Sequence, residues 1–136
     1  MLPGARYVSM LLRGGFLLAL IIGFGFWFGW WTPSGAIVLI HMLLGLIVIG
    51  SVWYLGLAQA QRGGGSLGLT IGTFVVGLLL AIVGLTQERL FGSLPMVAVQ
   101  ITHLLLAVLA VGLGEMCVRR IRGAGPATAP ATRSRG

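Results

Sequence analysis

Apolar residues run almost unbroken along four stretches of this chain, near Leu12 to Trp31, Ala36 to Leu57, Leu67 to Thr86 and Pro95 to Val118. Each is about the 20 residues a helix needs to cross a hydrocarbon core of roughly 30 Å. Polar residues gather between them, at Thr32 to Gly35, Ala58 to Ser66 and Gln87 to Leu94. Connections this short make consecutive helices antiparallel neighbours. The pattern predicts an all-α membrane protein, a four-transmembrane-helix up-down-up-down bundle over residues 1–122. The stretch 123–136, mostly Gly, Ala, Pro, Thr and Arg, has nothing to bury and is expected to be a disordered tail.

Composition agrees, since 57% of the residues are hydrophobic and 8% charged, which no soluble domain of this size carries. The first apolar stretch is long and lacks a small-residue cleavage site after it, so it reads as a retained helix rather than a signal peptide. The net charge of +7 comes from nine arginines. Eight of them, Arg6, Arg13, Arg62, Arg119, Arg120, Arg122, Arg133 and Arg135, fall on one side of the predicted bundle, and Arg89 alone on the other. The positive-inside rule then makes both termini cytoplasmic in the cytoplasmic (inner) membrane of a bacterium or archaeon. This topology and anionic headgroups account for the charge without nucleic acid. The lone Cys117 cannot form an internal disulfide and reads as a packing residue.

Aromatic residues stand where interfacial anchors are expected, Phe26, Trp27, Phe28, Trp30 and Trp31 at one end and Trp53 and Tyr54 at the other. Gly25 with Gly29 and Gly68 with Gly72 have the small-xxx-small spacing that lets helices approach closely in lipid.

A shift of 62 residues lays Gly15 to Ile21 over Gly77 to Val83 and His41 to Gly45 over His103 to Ala107, without a gap. The four helices therefore read as two tandem helical hairpins, related by a pseudo-twofold axis along the membrane normal. His41 and His103, the only histidines, coincide under this shift. His41 is about 6 residues from the outer end of its helix and His103 about 8, which places both roughly 9 to 12 Å inside the membrane.

An imidazole at that depth is costly unless it is hydrogen-bonded or bound to something. In an up-down-up-down bundle the second and fourth helices face each other diagonally, so the two imidazoles can approach one object from opposite sides. A single haem b with two axial histidines suits that gap, and His41 and His103 are the candidate iron ligands. Gly45 and Ala107, one turn further on the same faces, leave room for the macrocycle. Arg89, with Gln87 and Gln100, stands where propionates would need charge-assisted hydrogen bonds. Zinc or copper centres need three or four protein ligands and fit less well. Glu115 has Arg119 one turn away as an expected partner, and hydrogen bonding of each histidine to a neighbouring helix is the plain alternative to a cofactor.

Four helices, a histidine near the outer end of the second and fourth, their separation of 62, and the run Val99-Gln100-Ile101-Thr102-His103-Leu104-Leu105-Leu106-Ala107 together resemble one half of heme A synthase. The resemblance covers the four-helix core and not the tail. That family is built from two such halves, each with a histidine pair, and single-half versions pair as homodimers. Its catalytic half carries a glutamate four residues before the first histidine, where this chain has Ile37, and often an outer-loop cysteine pair that Thr32 to Gly35 lacks. The resemblance thus implies the half that holds haem b as a cofactor, with no catalytic residue.

The leading expectation is a b-type cytochrome that transfers electrons within a larger respiratory or photosynthetic complex, with other redox subunits or a second copy as partners and a quinone as a candidate. The runner-up is an enzyme or assembly factor of haem A formation acting as a homodimer. The third is a haem-free structural subunit.

Overall fold

The computed structural model describes residues 3–62, 64–86 and 95–123. They form four helices: α1 (Pro3–Trp27), α2 (Gly35–Ala60), α3 (Leu67–Thr86) and α4 (Met96–Gly123). All four are long and apolar enough to span a membrane, and the molecule is a multi-pass membrane protein built as a four-helix bundle. The tail from 124 onward, with Gln87, Glu88 and Arg89, lies outside the described residues.

Helix ends follow local chemistry. Ser34 caps α2, its hydroxyl accepting from the Ile37 amide, and the Ser66 hydroxyl does the same for Leu69 at the start of α3. Pro95 stands just ahead of α4, where a missing N–H costs nothing. The turn between α2 and α3 passes through Gly64 at φ +86°, a conformation that favours glycine. α3 matches the expected apolar stretch, whereas α1 starts at Pro3 rather than near Leu12 and α4 runs on to Gly123. Hydropathy marks the part of a helix that lipid tolerates, while the helix continues wherever packing does. Ala5, Ser9 and Ile121 are buried in these extensions.

α2 and α4 form the centre of the bundle. They touch each other, each touches both α1 and α3, and α1 and α3 do not meet among the described residues. These are the pairings a twofold-related pair of hairpins requires. The diagonal helices are not separated along their whole length, as a uniform gap would require. They close at the end that carries the Arg62–Ser66 turn, through Val48, Val52, Ala110, Cys117 and Val118. Gly114 makes this approach feasible: a Cβ there would come 2.5 Å from Leu12 Cδ2 and 3.6 Å from Val52 Cγ2. Gly56 against Thr73 and Gly77 against Trp53 play the same part between α2 and α3. The expected glycine pair Gly68 and Gly72 does not, having no side chain nearer than 3.9 Å.

A polar cluster locks the same end. Gln59, fully buried, accepts from the Ser66 amide (3.0 Å) and donates to the Ser66 carbonyl and the Thr70 hydroxyl (2.8 Å each). Thr70 in turn donates to the Gly56 carbonyl and Thr73 to the Thr70 carbonyl. A buried network of this kind holds only if every member is satisfied. Arg62 adds a bond to the Ile121 carbonyl at 3.1 Å, tying the turn to α4.

Candidate functional site

The other end of the bundle is packed differently. From Gly35 to Ile47 on α2 and from Gln100 to Leu109 on α4 no residue is fully buried. His41 lies six residues into α2 and His103 seven into α4, and both rings are partly buried. The two imidazoles meet, with centroids 6.3 Å apart and planes inclined at 44°. Both Nδ1 atoms are buried and make no hydrogen bond, so the plain alternative of each ring bonded through Nδ1 to a neighbouring helix does not hold. The Ala19 carbonyl on α1 is a backbone acceptor beside the His41 ring, and only the Nδ1 atoms are shown to lack a partner.

Each ring is seated on a glycine of the preceding helix. A Cβ at Gly23 on α1 would be 3.5 Å from His41 Cε1, and one at Gly84 on α3 would be 3.0 Å from His103 Cε1. Both rings thus turn the Cε1 edge toward their own hairpin, although the two glycines stand one residue out of register under the 62-residue shift. Neither glycine was among the candidate residues, although a signal exists. In an antiparallel hairpin, residues equidistant from the turn are level, and Gly23 and His41 lie nine residues either side of Thr32. Phe26 meets His41 edge-on, with centroids 5.9 Å apart and an interplanar angle of 69°. Trp31 folds back over Gly25, and its indole nitrogen is buried without a partner. Trp53, half-buried, stacks on the exposed Phe74 with centroids 5.2 Å apart.

The centroid separation alone matches that of two imidazoles sharing one metal. A metal–imidazole nitrogen bond is about 2.0–2.1 Å, and the ring centre lies roughly 1.1 Å beyond the nitrogen, so two such ligands have centroids roughly 6.3 Å apart. Two imidazoles whose Nδ1 atoms lack partners, in the loosest part of an apolar bundle, have the donor chemistry of a bis-histidine haem site. Gly45, a turn from His41, is half-buried with no atom within 4 Å of its would-be Cβ. Ala107 is packed against the core, and Gln100 is half-buried one turn before His103. Arg89 and Gln87 lie outside the described residues.

No cluster of three or more His, Cys, Asp or Glu side chains occurs among the described residues. Ile37 sits half-buried one turn before His41. Glu115 is twelve residues beyond His103 on α4, roughly 18 Å away along the helix. It does not pair with Arg119 as helical spacing suggests. Its two oxygens accept instead from Arg13 Nε and Nη2 on α1, each at 2.7 Å, because a bidentate fork between facing helices is the stronger arrangement.

Comparison with protein-family models, characterised proteins and solved structures found no match.

Proposed function

We propose that this protein is a membrane-integral b-type cytochrome subunit in which His41 and His103 hold one haem b and pass electrons within a larger redox complex. The bundle runs up-down-up-down with both termini cytoplasmic, and the histidine end faces the periplasm, supported by the arginine-rich opposite end. The meeting of the two imidazoles at 6.3 Å, with both Nδ1 atoms unpartnered, carries this reading. A haem bound there supplies a one-electron couple whose potential depends on its axial ligands and surroundings.

The chain's own residues do the rest. One nitrogen of each imidazole binds iron, and Gly23 and Gly84 set the rotation of the rings. The Ala19 carbonyl beside His41 is the acceptor available to its second nitrogen, a contact that orients a ligating ring. Apolar residues around the pair exclude water, and Arg89 and Gln100 serve the propionate edge. The likeness to the cofactor-type half of heme A synthase supports the same assignment, and Ile37 supplies no carboxylate for oxidising a haem methyl group.

A reduced-minus-oxidised spectrum of the purified protein, from cells supplied with haem precursors, tests this. A low-spin six-coordinate b-type signal is expected. The absence of haem absorption sinks the proposal, and haem A formation by the isolated chain in cells lacking other synthases replaces it with the enzyme reading.

A further inference from the structure

At the end of the bundle that carries the α2–α3 turn, two arginines are held by backbone carbonyls across the gap to α4. Arg62 Nη1, on the turn, donates to the Ile121 carbonyl at 3.1 Å, and Arg120 Nη1, in the last turn of α4, reaches back to the Gly64 carbonyl at 3.5 Å. The exchange brings two guanidinium groups to one junction. Arg62 is also fixed through its own backbone, since its amide donates to the Gln59 carbonyl and its carbonyl accepts from the Gly65 amide. The Nε and Nη2 atoms of both arginines have no partner among the described residues.

Neutral carbonyls orient these groups but leave their charge uncompensated. The chain has two acidic side chains, Glu88 and Glu115. Glu115 is engaged by Arg13, and Glu88 follows the opposite end of α3, a 20-residue helix roughly 30 Å long. No acidic side chain of the chain is left to serve the junction. It stands where the spans end, two residues beyond α2 and three before the close of α4, which is the depth of lipid headgroups. Arginine forks match phosphate oxygens bidentately.

A furrow leads from the junction into the membrane. Gly68 and Gly72 share one face of α3, Gly68 exposed and Gly72 half-buried. A Cβ added at Gly72 would meet only Leu113 Cδ1 of α4, at 3.9 Å, and one at Gly68 only the Ser66 hydroxyl, also at 3.9 Å. Leu113 and Arg120, seven residues apart, lie on one face of α4. The glycine pair that draws no helix close therefore leaves an apolar track between α3 and α4, directly beneath the arginines.

We infer that Arg62, Arg120 and the α3–α4 furrow form a binding site for one anionic phospholipid, with its phosphate between the two guanidinium groups and an acyl chain along Gly68 and Gly72. Basic pockets between membrane helices are suited to such headgroups. The site is independent of the haem assignment, since it lies at the other end of the bundle.

Native mass spectrometry of the purified protein, titrated in detergent with phosphatidylglycerol or phosphatidylcholine, tests the inference. One phosphatidylglycerol should bind at least about tenfold more tightly than phosphatidylcholine, and Arg62→Gln and Arg120→Gln should each weaken it by about tenfold, the scale of one charged contact. Arg120→Gln spares the Arg62–Ile121 bond, so its helical content should stay native. Arg133→Gln with Arg135→Gln removes two charges from the tail and should change the affinity by less than about twofold, because distant exposed charges are screened. Gly68→Leu removes no charge and should still weaken phosphatidylglycerol binding by about three- to tenfold, as its side chain fills the acyl track. Equal affinity for the two lipids, an equal loss from the tail variant, or displacement by millimolar inorganic phosphate with no effect of Gly68→Leu would each overturn the assignment.

Discussion

Along α2, the twelve residues from Val48 to Gln59 place seven in the core, whereas the thirteen from Gly35 to Ile47 place none there. α4 divides in the same way, with Ala110, Gly114, Cys117, Val118 and Ile121 buried toward one end and only Val99 near the other. At the turn end, glycines let backbones approach, Leu12 and Val52 fill the space, and Gln59 satisfies the polar groups of the connection. At the histidine end, the centre is two imidazoles with unused nitrogens. One end is complete as a protein core, and the other is organised around donors that lack acceptors. A bundle closed at both ends would bury its histidines uselessly, and one open at both would not hold them in register.

Five substitutions separate the two ends, in order of expected effect. His41→Ala or His103→Ala should leave the helices intact and lower retained haem by more than about tenfold, since loss of even an outer contact to a metal ligand costs about 10–100-fold. An unchanged low-spin spectrum in either variant removes that residue from the ligand pair. Gln59→Leu should destabilise the turn end by about 1–3 kcal/mol in a detergent unfolding titration, because it strands the part-buried Ser66 amide, whose carbonyl keeps the Thr70 amide as a donor. Retained stability would mean that the cluster is solvated rather than sealed.

Gly114→Ala should cost about 1–2 kcal/mol, as Leu12 must give way where α1, α2 and α4 converge. Gly45→Ala should do the opposite to the haem-free protein. With open space around it, the better helix former stabilises by about 0.5–1 kcal/mol, while haem binding weakens because the added methyl enters the space beside the ring. A variant that improves the empty protein and leaves haem affinity untouched would place the macrocycle elsewhere.

Much of this was legible beforehand. Four uninterrupted apolar stretches with short polar connections allow little other than four membrane helices, and α3 begins and ends at the residues where its stretch does. The repeat brought His41 and His103 to one depth, and the structure brings their rings together. Other features were out of reach. Gly68 and Gly72 have the spacing of a packing motif but meet no neighbour closely, while Gly56, Gly77 and Gly114, each four residues from an alanine, make the close approaches. Arg119 is the local partner of Glu115 on paper, and Arg13 is its partner in space.

The division has a physical basis. Hydropathy and helix length are summed along the chain, so the number of spans, their order and the depth of each histidine follow from the sequence alone. In lipid, however, both the packed and the free faces of a helix are apolar, so periodicity scarcely marks which face turns inward. Rotation about each helix axis is set by small residues admitting large ones, and by polar groups finding partners on other helices. Those choices decided that α2 and α4 close at one end only, that Gly23 and Gly84 seat the histidines, and that the Arg13–Glu115 pair opens outward.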